Sequence, residues 1–171
     1  MKGKNIKNES FPSIEVIDLF CGIGGLSFGM KSKGFNILAG YDLDATCRYA
    51  YETNNNAKFI YKDIKTVSPD EIRTAYGKGS IRVLAGCAPC QPFSSYAFKN
   101  KKKDPNKYDL LYEFGRLVKA VHPDIVTMEN VAQILSFKEK PVLSDFENLL
   151  KNEGYHVWVN PCLLYTSDAA D

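Results

Sequence analysis

Residues 13–25 read Ser-Ile-Glu-Val-Ile-Asp-Leu-Phe-Cys-Gly-Ile-Gly-Gly, a short apolar run rich in β-branched residues that is followed directly by glycines. Such a run is typical of a buried strand. The glycines permit a tight turn after it, and residues 24–33 have the pattern of a short helix. The segment therefore predicts a strand, a turn and a helix in immediate succession.

The same alternation continues along the chain. A helix begins near Ser68, where Ser68 is the N-cap, Pro69 takes the first helical position and Glu71 reaches back to complete a capping box. Asp44 caps the helix before it. We predict further strands over residues 35–41, 58–61, 81–85 and 124–128, and further helices over residues 44–54, 109–121 and 142–152. This order predicts an α/β fold with a doubly wound, mostly parallel sheet and helices on both faces.

The composition fits one soluble domain. The chain has 171 residues, of which 44% are hydrophobic and 25% charged, and its net charge of +2 neither requires nor excludes a nucleic-acid partner. No apolar stretch is long enough to span a membrane, and the leader at residues 1–12 lacks the apolar part of a signal peptide. We therefore expect a cytoplasmic protein whose five cysteines are reduced.

The turn after the first strand is a candidate nucleotide site. Glycines at positions 22, 24 and 25 let the backbone approach a ligand, but their spacing is neither the dinucleotide fingerprint nor a P-loop, which favours a nucleoside without a pyrophosphate. Asp42 ends the second strand, where a carboxylate can accept hydrogen bonds from ribose hydroxyls, and Asp63 after the third strand could meet adenine. The alternative is a plain turn with solvated carboxylates. Three successive strand ends that each carry the expected residue favour the site.

A candidate nucleophile follows the fourth strand, where residues 85–94 read Ala-Gly-Cys-Ala-Pro-Cys-Gln-Pro-Phe-Ser. Pro89 and Pro92 bracket Cys90 and stiffen the loop, and a stiff loop at a strand end suits the presentation of a thiolate. Cys87 and Cys90 also have the spacing of a thiol–disulfide site. A zinc site would need a second pair of ligands, which the remaining cysteines and histidines do not offer at paired spacing. A buried, inert cysteine is the remaining alternative.

Two further features accompany this loop. Glu129 ends the fifth strand, where its carboxyl group either contacts the polar edge of a heterocycle or is an exposed or capping carboxylate. Residues 99–107 contain five lysines and one aspartate, a net charge of +4. Such a run is either a solvated loop or a lid over a phosphate backbone.

Three motifs resemble those of the cytosine-C5 DNA methyltransferase family. They are Asp-Leu-Phe-Cys-Gly-Ile-Gly-Gly at 18–25, Gly-Cys-Ala-Pro-Cys-Gln-Pro-Phe-Ser at 86–94 and Glu-Asn-Val at 129–131, in the order and at the spacing of the family. The resemblance implies a Rossmann-like, S-adenosylmethionine-dependent methyltransferase fold. It also implies a set of residues around the cofactor: Phe20, Gly22, Gly24, Gly25, Asp42, Leu43, Asp63 and Leu110.

The resemblance implies a reaction as well. The enzyme would transfer a methyl group from S-adenosylmethionine to C5 of a cytosine flipped out of double-stranded DNA. Cys90 would attack C6, Glu129 would contact the N3 and N4 edge, and Asn130 would shape the loop that holds Pro89, whereas Cys87 has no catalytic role in the family. The residues expected to contact nucleic acid are Gln91, Ser94, Lys99, Lys101, Lys102 and Lys103.

The implied setting is a bacterial restriction-modification system with a cognate restriction endonuclease as a genetic partner. We expect no metal and no membrane contact, and a monomer when the protein is complete. Three alternatives remain. One is an RNA cytosine-C5 methyltransferase of the same family, and another is a thiol–disulfide oxidoreductase that uses Cys87 and Cys90. The third is a non-enzymatic nucleic-acid-binding module, which would explain the lysines and nothing else.

The C-terminus departs from the family pattern. After Leu164 the family continues with Asn-Ala, an aromatic-Gly-Val-Pro-Gln segment and Gln-x-Arg-x-Arg, whereas residues 165–171 read Tyr-Thr-Ser-Asp-Ala-Ala-Asp. We therefore expect residues 13–164 to be a partial catalytic domain, incomplete at its C-terminus and without the target-recognition region. We expect residues 165–171 to be a non-native tail of a truncated or frame-shifted reading frame, and the 171-residue chain to bind cofactor weakly and to be inactive.

Overall fold

A parallel sheet organises the protein. The computed structural model describes residues 11–89, 109–136 and 141–160. Within them, the strands are β1 (Ile14–Leu19), β2 (Asn36–Asp42), β3 (Lys58–Tyr61), β4 (Ile81–Gly86) and β5 (Ile125–Met128). Their order is β3-β2-β1-β4-β5, and each neighbouring pair is parallel. The chain therefore runs from β1 to β2 and β3 on one side and then returns to β4 and β5 on the other. The switch point of this doubly wound sheet is thus at the carboxyl end of β1, next to β4.

Helices cover both faces of this sheet, as predicted. The α-helices of the described residues are α1 (Gly25–Lys31), α2 (Arg48–Asn55), α3 (Pro69–Ala75), α4 (Asp109–Val121) and α5 (Val142–Asn152). Short 3-10 turns lie at Ala45–Cys47, Ile64–Thr66 and Ala132–Ser136.

The strands are apolar at successive positions because both faces are buried. Ile17 faces the larger core, which Ile72 of α3, Leu117 of α4 and Phe146 of α5 complete. Its neighbour Val16 belongs to the smaller core on the opposite face. That smaller core is closed by α1, whose side chains Leu26 and Met30 pack against it. Burying a side chain of the size of Leu117 contributes roughly 1.5–3 kcal/mol, so these contacts rather than helix propensity hold the helices in place.

Strongly periodic segments have the predicted bounds. The strand Lys58–Tyr61 and the helices Asp109–Val121 and Val142–Asn152 begin and end at the predicted residues. The first helix is shorter than predicted: Gly24 is its N-cap, in the left-handed region at φ 89°, and the helix ends at Lys31. Residues 1–10 of the leader and residues 161–171, which include the proposed tail, lie outside the described residues.

Two predicted helix starts were wrong in detail. Ser68 does cap α3, since its hydroxyl accepts a hydrogen bond from the Glu71 amide at 3.2 Å. The Glu71 carboxylate does not complete a capping box: it accepts from Lys62 Nζ at 2.5 Å and from the Tyr41 hydroxyl at 3.2 Å. A charged donor is a stronger partner than a backbone amide, which explains the difference. Asp44 caps the 3-10 turn that precedes α2, and not α2 itself.

Candidate active site

The glycine turn after β1 is tied to β2 by backbone and side-chain hydrogen bonds. The Cys21 amide donates to the Tyr41 carbonyl at 3.1 Å, and the Gly22 amide donates to Asp42 Oδ2 at 2.8 Å. Gly22 and Gly24 adopt φ of 49° and 89°, a region that glycine enters without a Cβ penalty. The turn and the carboxylate predicted for the ribose are therefore in direct contact.

Both oxygens of the Asp42 carboxylate are held by backbone. Asp42 Oδ1 accepts from the Asp44 amide at 2.9 Å, while Oδ2 accepts from Gly22. The side chain is half-buried, and each oxygen keeps a second lone pair for another donor. This geometry preorients the carboxylate toward a ligand without saturating it.

The surface in front of the turn is open and partly apolar. Among the described residues, and leaving aside the backbone of α1 itself, no atom lies within 4 Å of a Cβ built at Gly22 or Gly25. Ile23 and Leu43 flank this space with 63% and 54% of their side chains exposed, which is a high exposure for such residues. A flat heterocycle with a sugar fits this combination of bare backbone, apolar flanks and one anchored carboxylate.

Of the other cofactor residues implied by the resemblance, Asp63 caps a turn, while Phe20 and Leu110 pack against the core. Asp63 is half-buried, and its Oδ1 accepts from the Lys65 amide at 3.0 Å, so it caps the 3-10 turn that follows β3. Phe20 adopts φ 60° at the end of β1, and both Phe20 and Leu110 pack against the larger core. Asp63 and Phe20 thus lie at the same edge of the sheet as Gly22, beyond the ends of β3 and β1.

A buried polar cluster lies behind the turn, and sequence reasoning missed it. Ser27 donates to Asp18 Oδ2 at 2.6 Å and is 3.1 Å from the Tyr51 hydroxyl. Asn55 Nδ2 donates to the Tyr51 carbonyl at 3.0 Å and to the Gly24 carbonyl at 3.4 Å. All four side chains are at most 2% exposed. The one signal in the sequence was Asp18, a carboxylate between the apolar residues Ile17 and Leu19 of β1.

Burial controls the chemistry of this cluster. Desolvation raises the pKa of Asp18 from 3.8 to about 6, against the opposing hydrogen bond from Ser27. Asp18 Oδ1 has no hydrogen-bond partner within the described part of the chain. Burial also raises the pKa of the Cys21 thiol well above its usual range, with the Asp18 and Asp42 carboxylates adding to the shift. Cys21 is therefore a protonated, inert thiol in spite of its place in the turn.

A second group of residues lies beyond the ends of β4 and β5. The Cys87 amide donates to the Leu19 carbonyl at 3.3 Å and the Glu129 amide to the Gly86 carbonyl at 3.2 Å, which continues the pairing of these strands. Asn130 Nδ2 donates to the Ala88 carbonyl at 2.9 Å. The predicted role of Asn130 in shaping this loop has a physical basis in that bond.

Glu129 is exposed and has a side-chain partner that the sequence did not suggest. The Cys87 thiol donates to Glu129 Oε2, with 2.8 Å between sulfur and oxygen. Pro89 is half-buried at the last described position of the loop. The remaining predicted residues of this loop lie outside the described residues: Cys90, Gln91, Ser94, Lys99, Lys101, Lys102 and Lys103.

The two groups share one edge of the sheet. We call residues 20–25 with Asp42 the glycine rim, and residues 86–89 with Glu129 and Asn130 the cysteine rim. Leu19 is in register with Tyr41 on one side and with Gly86 on the other, so both rims adjoin the end of β1. Strands lie about 4.8 Å apart, which sets β2 and β4 roughly 10 Å apart. That spacing suits a ligand on the glycine rim that reaches a reactive group on the cysteine rim.

Neither a metal cluster nor a membrane helix occurs among the described residues. No group of three or more His, Cys, Asp or Glu side chains there could hold a metal ion. None of the helices in residues 11–89, 109–136 and 141–160 has the length and apolar character needed to cross a bilayer.

Comparison with known proteins gives one consistent family. The chain is 46% identical over 142 residues to the Type II methylase M.HgiDII of Herpetosiphon aurantiacus, an alignment that covers 83% of the chain and 40% of that protein. It is 31% identical to the Type II methyltransferase M.FnuDI of Fusobacterium nucleatum, covering 85% of the chain and 40% of that protein. The chain thus spans about 40% of the length of these curated relatives.

A solved structure agrees with these relatives. A putative DNA modification methyltransferase encoded within an E. coli prophage superposes with a TM-score of 0.68 at 27% identity, covering 82% of the chain and 38% of that structure. The profile of the family described as C-5 cytosine-specific DNA methylase matches residues 14–168, which include both rims. The chain therefore belongs to the C-5 cytosine-specific DNA methylase family.

Proposed function

We propose that this chain carries the cofactor turn and the nucleophile of a DNA (cytosine-5-)-methyltransferase that uses S-adenosylmethionine. One observation carries the proposal beyond family membership: the glycine turn anchored on Asp42 and the loop anchored on Asn130 adjoin the same strand end, on either side of β1. Methyl transfer requires its donor and acceptor sites to be neighbours in this way.

The glycine rim fits the nucleoside half of S-adenosylmethionine. Asp42 would accept hydrogen bonds from the ribose hydroxyls, and Leu43 would lie against the adenine ring. The open space beside Gly22 and Gly25 leaves room for the ligand where a side chain would obstruct it. Bound there, S-adenosylmethionine would supply an electrophilic methyl group on a sulfonium.

The cysteine rim would act on the cytosine. The Cys90 thiolate adds to C6, which makes C5 nucleophilic, while the Glu129 carboxyl group contacts the N3 and N4 edge and stabilises the charge that develops on the ring. C5 would take the methyl group as the methyl–sulfur bond breaks, and the electron pair of that bond would stay on sulfur, which becomes a neutral thioether. C5 would then give its proton to water and the C6–sulfur bond would break, so that Cys90 leaves as a thiolate. Asn130 supports these steps indirectly, through its bond to the loop that carries Pro89.

Double-stranded DNA is the proposed substrate, with the lysines of residues 99–107 along its phosphate backbone and the cytosine flipped out of the helix. The Type II names of the relatives support a restriction-modification setting in a bacterial cytoplasm, with a cognate endonuclease as genetic partner. The family does not favour the dithiol alternative, because methyl transfer needs one thiolate and leaves Cys87 without a redox role.

A binding experiment tests the cofactor half with the 171-residue chain. Titration calorimetry with S-adenosylmethionine should give an affinity that Asp42→Asn lowers about tenfold, because the ribose loses a charged acceptor. Asp44→Asn is the matched control: it changes an exposed carboxylate two residues away whose described bonds are local to the 3-10 turn, and affinity should stay within about twofold. Equal losses in both variants would count against the ribose assignment.

An activity experiment tests the nucleophile. The complete gene, expressed in a methylation-free host, should introduce 5-methylcytosine at one sequence in the genome. Cys90→Ser should abolish this modification, whereas Cys47→Ser, a half-buried cysteine outside both rims, should leave it intact. Methylation that persists in Cys90→Ser, or a product other than 5-methylcytosine, would refute the proposed mechanism.

A further inference from the structure

We infer that Cys87 is a positioning residue for Glu129, which its thiol holds at the end of β5 through an S–H···O hydrogen bond. The inference rests on the proposed function, in which Glu129 contacts the cytosine ring, and it gives Cys87 a part in the same reaction. The family resemblance assigns Cys87 no such part, and the thiol–disulfide alternative assigns it a different one.

The backbone on both sides of the pair is fixed. Gly86 is in register with Met128, so the next residues, Cys87 and Glu129, face each other across β4 and β5. The Cys87 amide bonds to Leu19 and the Glu129 amide to Gly86. The distance of 2.8 Å between Cys87 Sγ and Glu129 Oε2 therefore follows from sheet register as well as from the rotamers of the two side chains.

Glu129 needs such a partner because it is exposed. A free glutamate side chain loses rotamer entropy when it is fixed in one place, and this loss opposes its contact with a substrate. The thiol of Cys87 selects a rotamer in advance, and a neighbour on the adjacent strand can do so without a long side chain of its own. The Cys87 thiol orients the Glu129 carboxylate, but it is a weak donor. The amino group of a base can therefore readily replace it as the hydrogen-bond donor to Glu129.

The contact also separates the two cysteines chemically. To donate to a carboxylate, Cys87 must be protonated, whereas the proposed nucleophile must be a thiolate. A thiolate at position 87 would repel Glu129. The Cys-x-x-Cys spacing is therefore interpreted as one positioning thiol and one attacking thiol, rather than as a redox pair.

The first test measures the contact without any methylation. In the 171-residue chain carrying Cys90→Ser, alkylation of Cys87 by iodoacetamide is followed by peptide mass spectrometry, with and without Glu129→Gln. The nearby negative charge opposes thiolate formation, so its removal should speed alkylation about fivefold. Cys47, in the same sample, should react at an unchanged rate. Equal rates at Cys87 in both proteins would overturn the contact.

The second test measures the role in the full-length protein. Cys87→Ala should lower kcat about fivefold and leave the affinity for S-adenosylmethionine unchanged, because the oriented carboxylate matters for the ring and not for the cofactor. Cys87→Ser, whose hydroxyl can donate in the same way, should recover most of kcat. A wild-type kcat in Cys87→Ala, or an equal loss in the serine variant, would overturn the role. If the wild type forms no 5-methylcytosine, the proposed function fails, while the alkylation result still decides the contact.

Discussion

The two rims of the site are built in opposite ways. Behind the glycine rim, Asp18, Ser27, Tyr51 and Asn55 form a hydrogen-bonded cluster that is almost completely buried. On the cysteine rim, half-buried Asn130 bonds to the carbonyl of buried Ala88, and half-buried Cys87 bonds to exposed Glu129, so each bond has at least one partner in contact with solvent. Buried hydrogen bonds are costly to break, because each unpaired partner is left without water. The glycine rim is thus backed by bonds that are costly to break, whereas the bonds of the cysteine rim are more readily exchanged for bonds to water.

This difference suits the two proposed ligands. A preformed surface suits a cofactor that binds by itself, because few protein groups are then ordered on binding, whereas a base flipped out of a duplex meets groups near the surface that can exchange water for the base. If the contrast is real, substitutions behind the glycine rim should cost much more stability than comparable substitutions on the cysteine rim.

The largest effect is expected at Gly24. Its φ of 89° is strained for any other residue, and a Cβ there would lie 2.7 Å from Tyr51 Cδ2. Gly24→Ala should therefore lower the free energy of unfolding by about 4 kcal/mol, through backbone strain and overpacking together. Gly29→Ala, within α1, is the control: outside the backbone of this helix, no atom of the described residues lies within 4 Å of a Cβ built there. This substitution should stabilise the protein by about 0.5–1 kcal/mol. Urea unfolding measures both; similar costs for the two would contradict the rigid turn.

The next effect depends on pH and comes from Asp18. Its pKa is raised by burial from 3.8 to about 6. Between pH 4 and 6 the unfolded chain loses the proton while the folded protein keeps it, so this group makes the protein less stable as pH rises, and above pH 6 the cost is constant. Asp18→Asn removes the titration. Its free energy of unfolding, relative to wild type, should therefore increase by about 2.4 kcal/mol from pH 4 to pH 7.

A pH-independent difference between wild type and Asp18→Asn would show that the carboxyl group is hydrated rather than buried. The comparison isolates Asp18 because the other carboxylates are common to both proteins. Tyr51, whose pKa burial raises above its usual range, does not titrate in this window and cannot produce the effect.

A smaller effect is expected on the cysteine rim. Asn130→Ala removes two half-buried hydrogen bonds, one accepted from the Val131 amide at 2.9 Å and one donated to the Ala88 carbonyl at 2.9 Å, and should cost about 1–2 kcal/mol. Because the bond to the Ala88 carbonyl holds the loop that leads to Cys90, methylation should fall more steeply than stability. Urea unfolding of the 171-residue chain and a methylation assay of the full-length protein separate the two effects. A loss of stability as large as that of Gly24→Ala would remove the contrast between the rims.

The features that the sequence predicted are those that depend on local pattern. The helix Asp109–Val121 was predictable because its apolar residues share one face. The position of Asp42 at the end of β2 was predictable from the apolar run before it, while its role toward a ribose stays a prediction. The cluster around Ser27 was not predictable, since its partners lie 9 and 24 residues away and meet only once α1 and α2 are packed. The contact of Cys87 with Glu129 spans 42 residues and depends on the register of β4 with β5.

The smallest effect is expected at the opposite end of β4 from the cysteine rim. It tests whether exposure to solvent alone makes hydrogen bonds in this part of the sheet weak. Arg82 donates from both Nε and Nη2 to the Asp124 carboxylate, and these hydrogen bonds lower the pKa of Asp124. Bidentate geometry usually makes a strong pair, but both side chains are about a third to a half exposed, so water and salt screen the attraction.

Asp124→Asn should therefore cost only about 0.5 kcal/mol near pH 7, and less in 1 M salt. Because a lowered pKa stabilises the folded state above the unfolded pKa, this small contribution should disappear on acidification and not on a rise in pH. Urea unfolding at pH 3 and pH 7, with and without salt, measures it. A cost of several kcal/mol would mean that the Arg82–Asp124 hydrogen bonds are strong despite their exposure. Weak hydrogen bonds on the cysteine rim would then need a cause other than access to water.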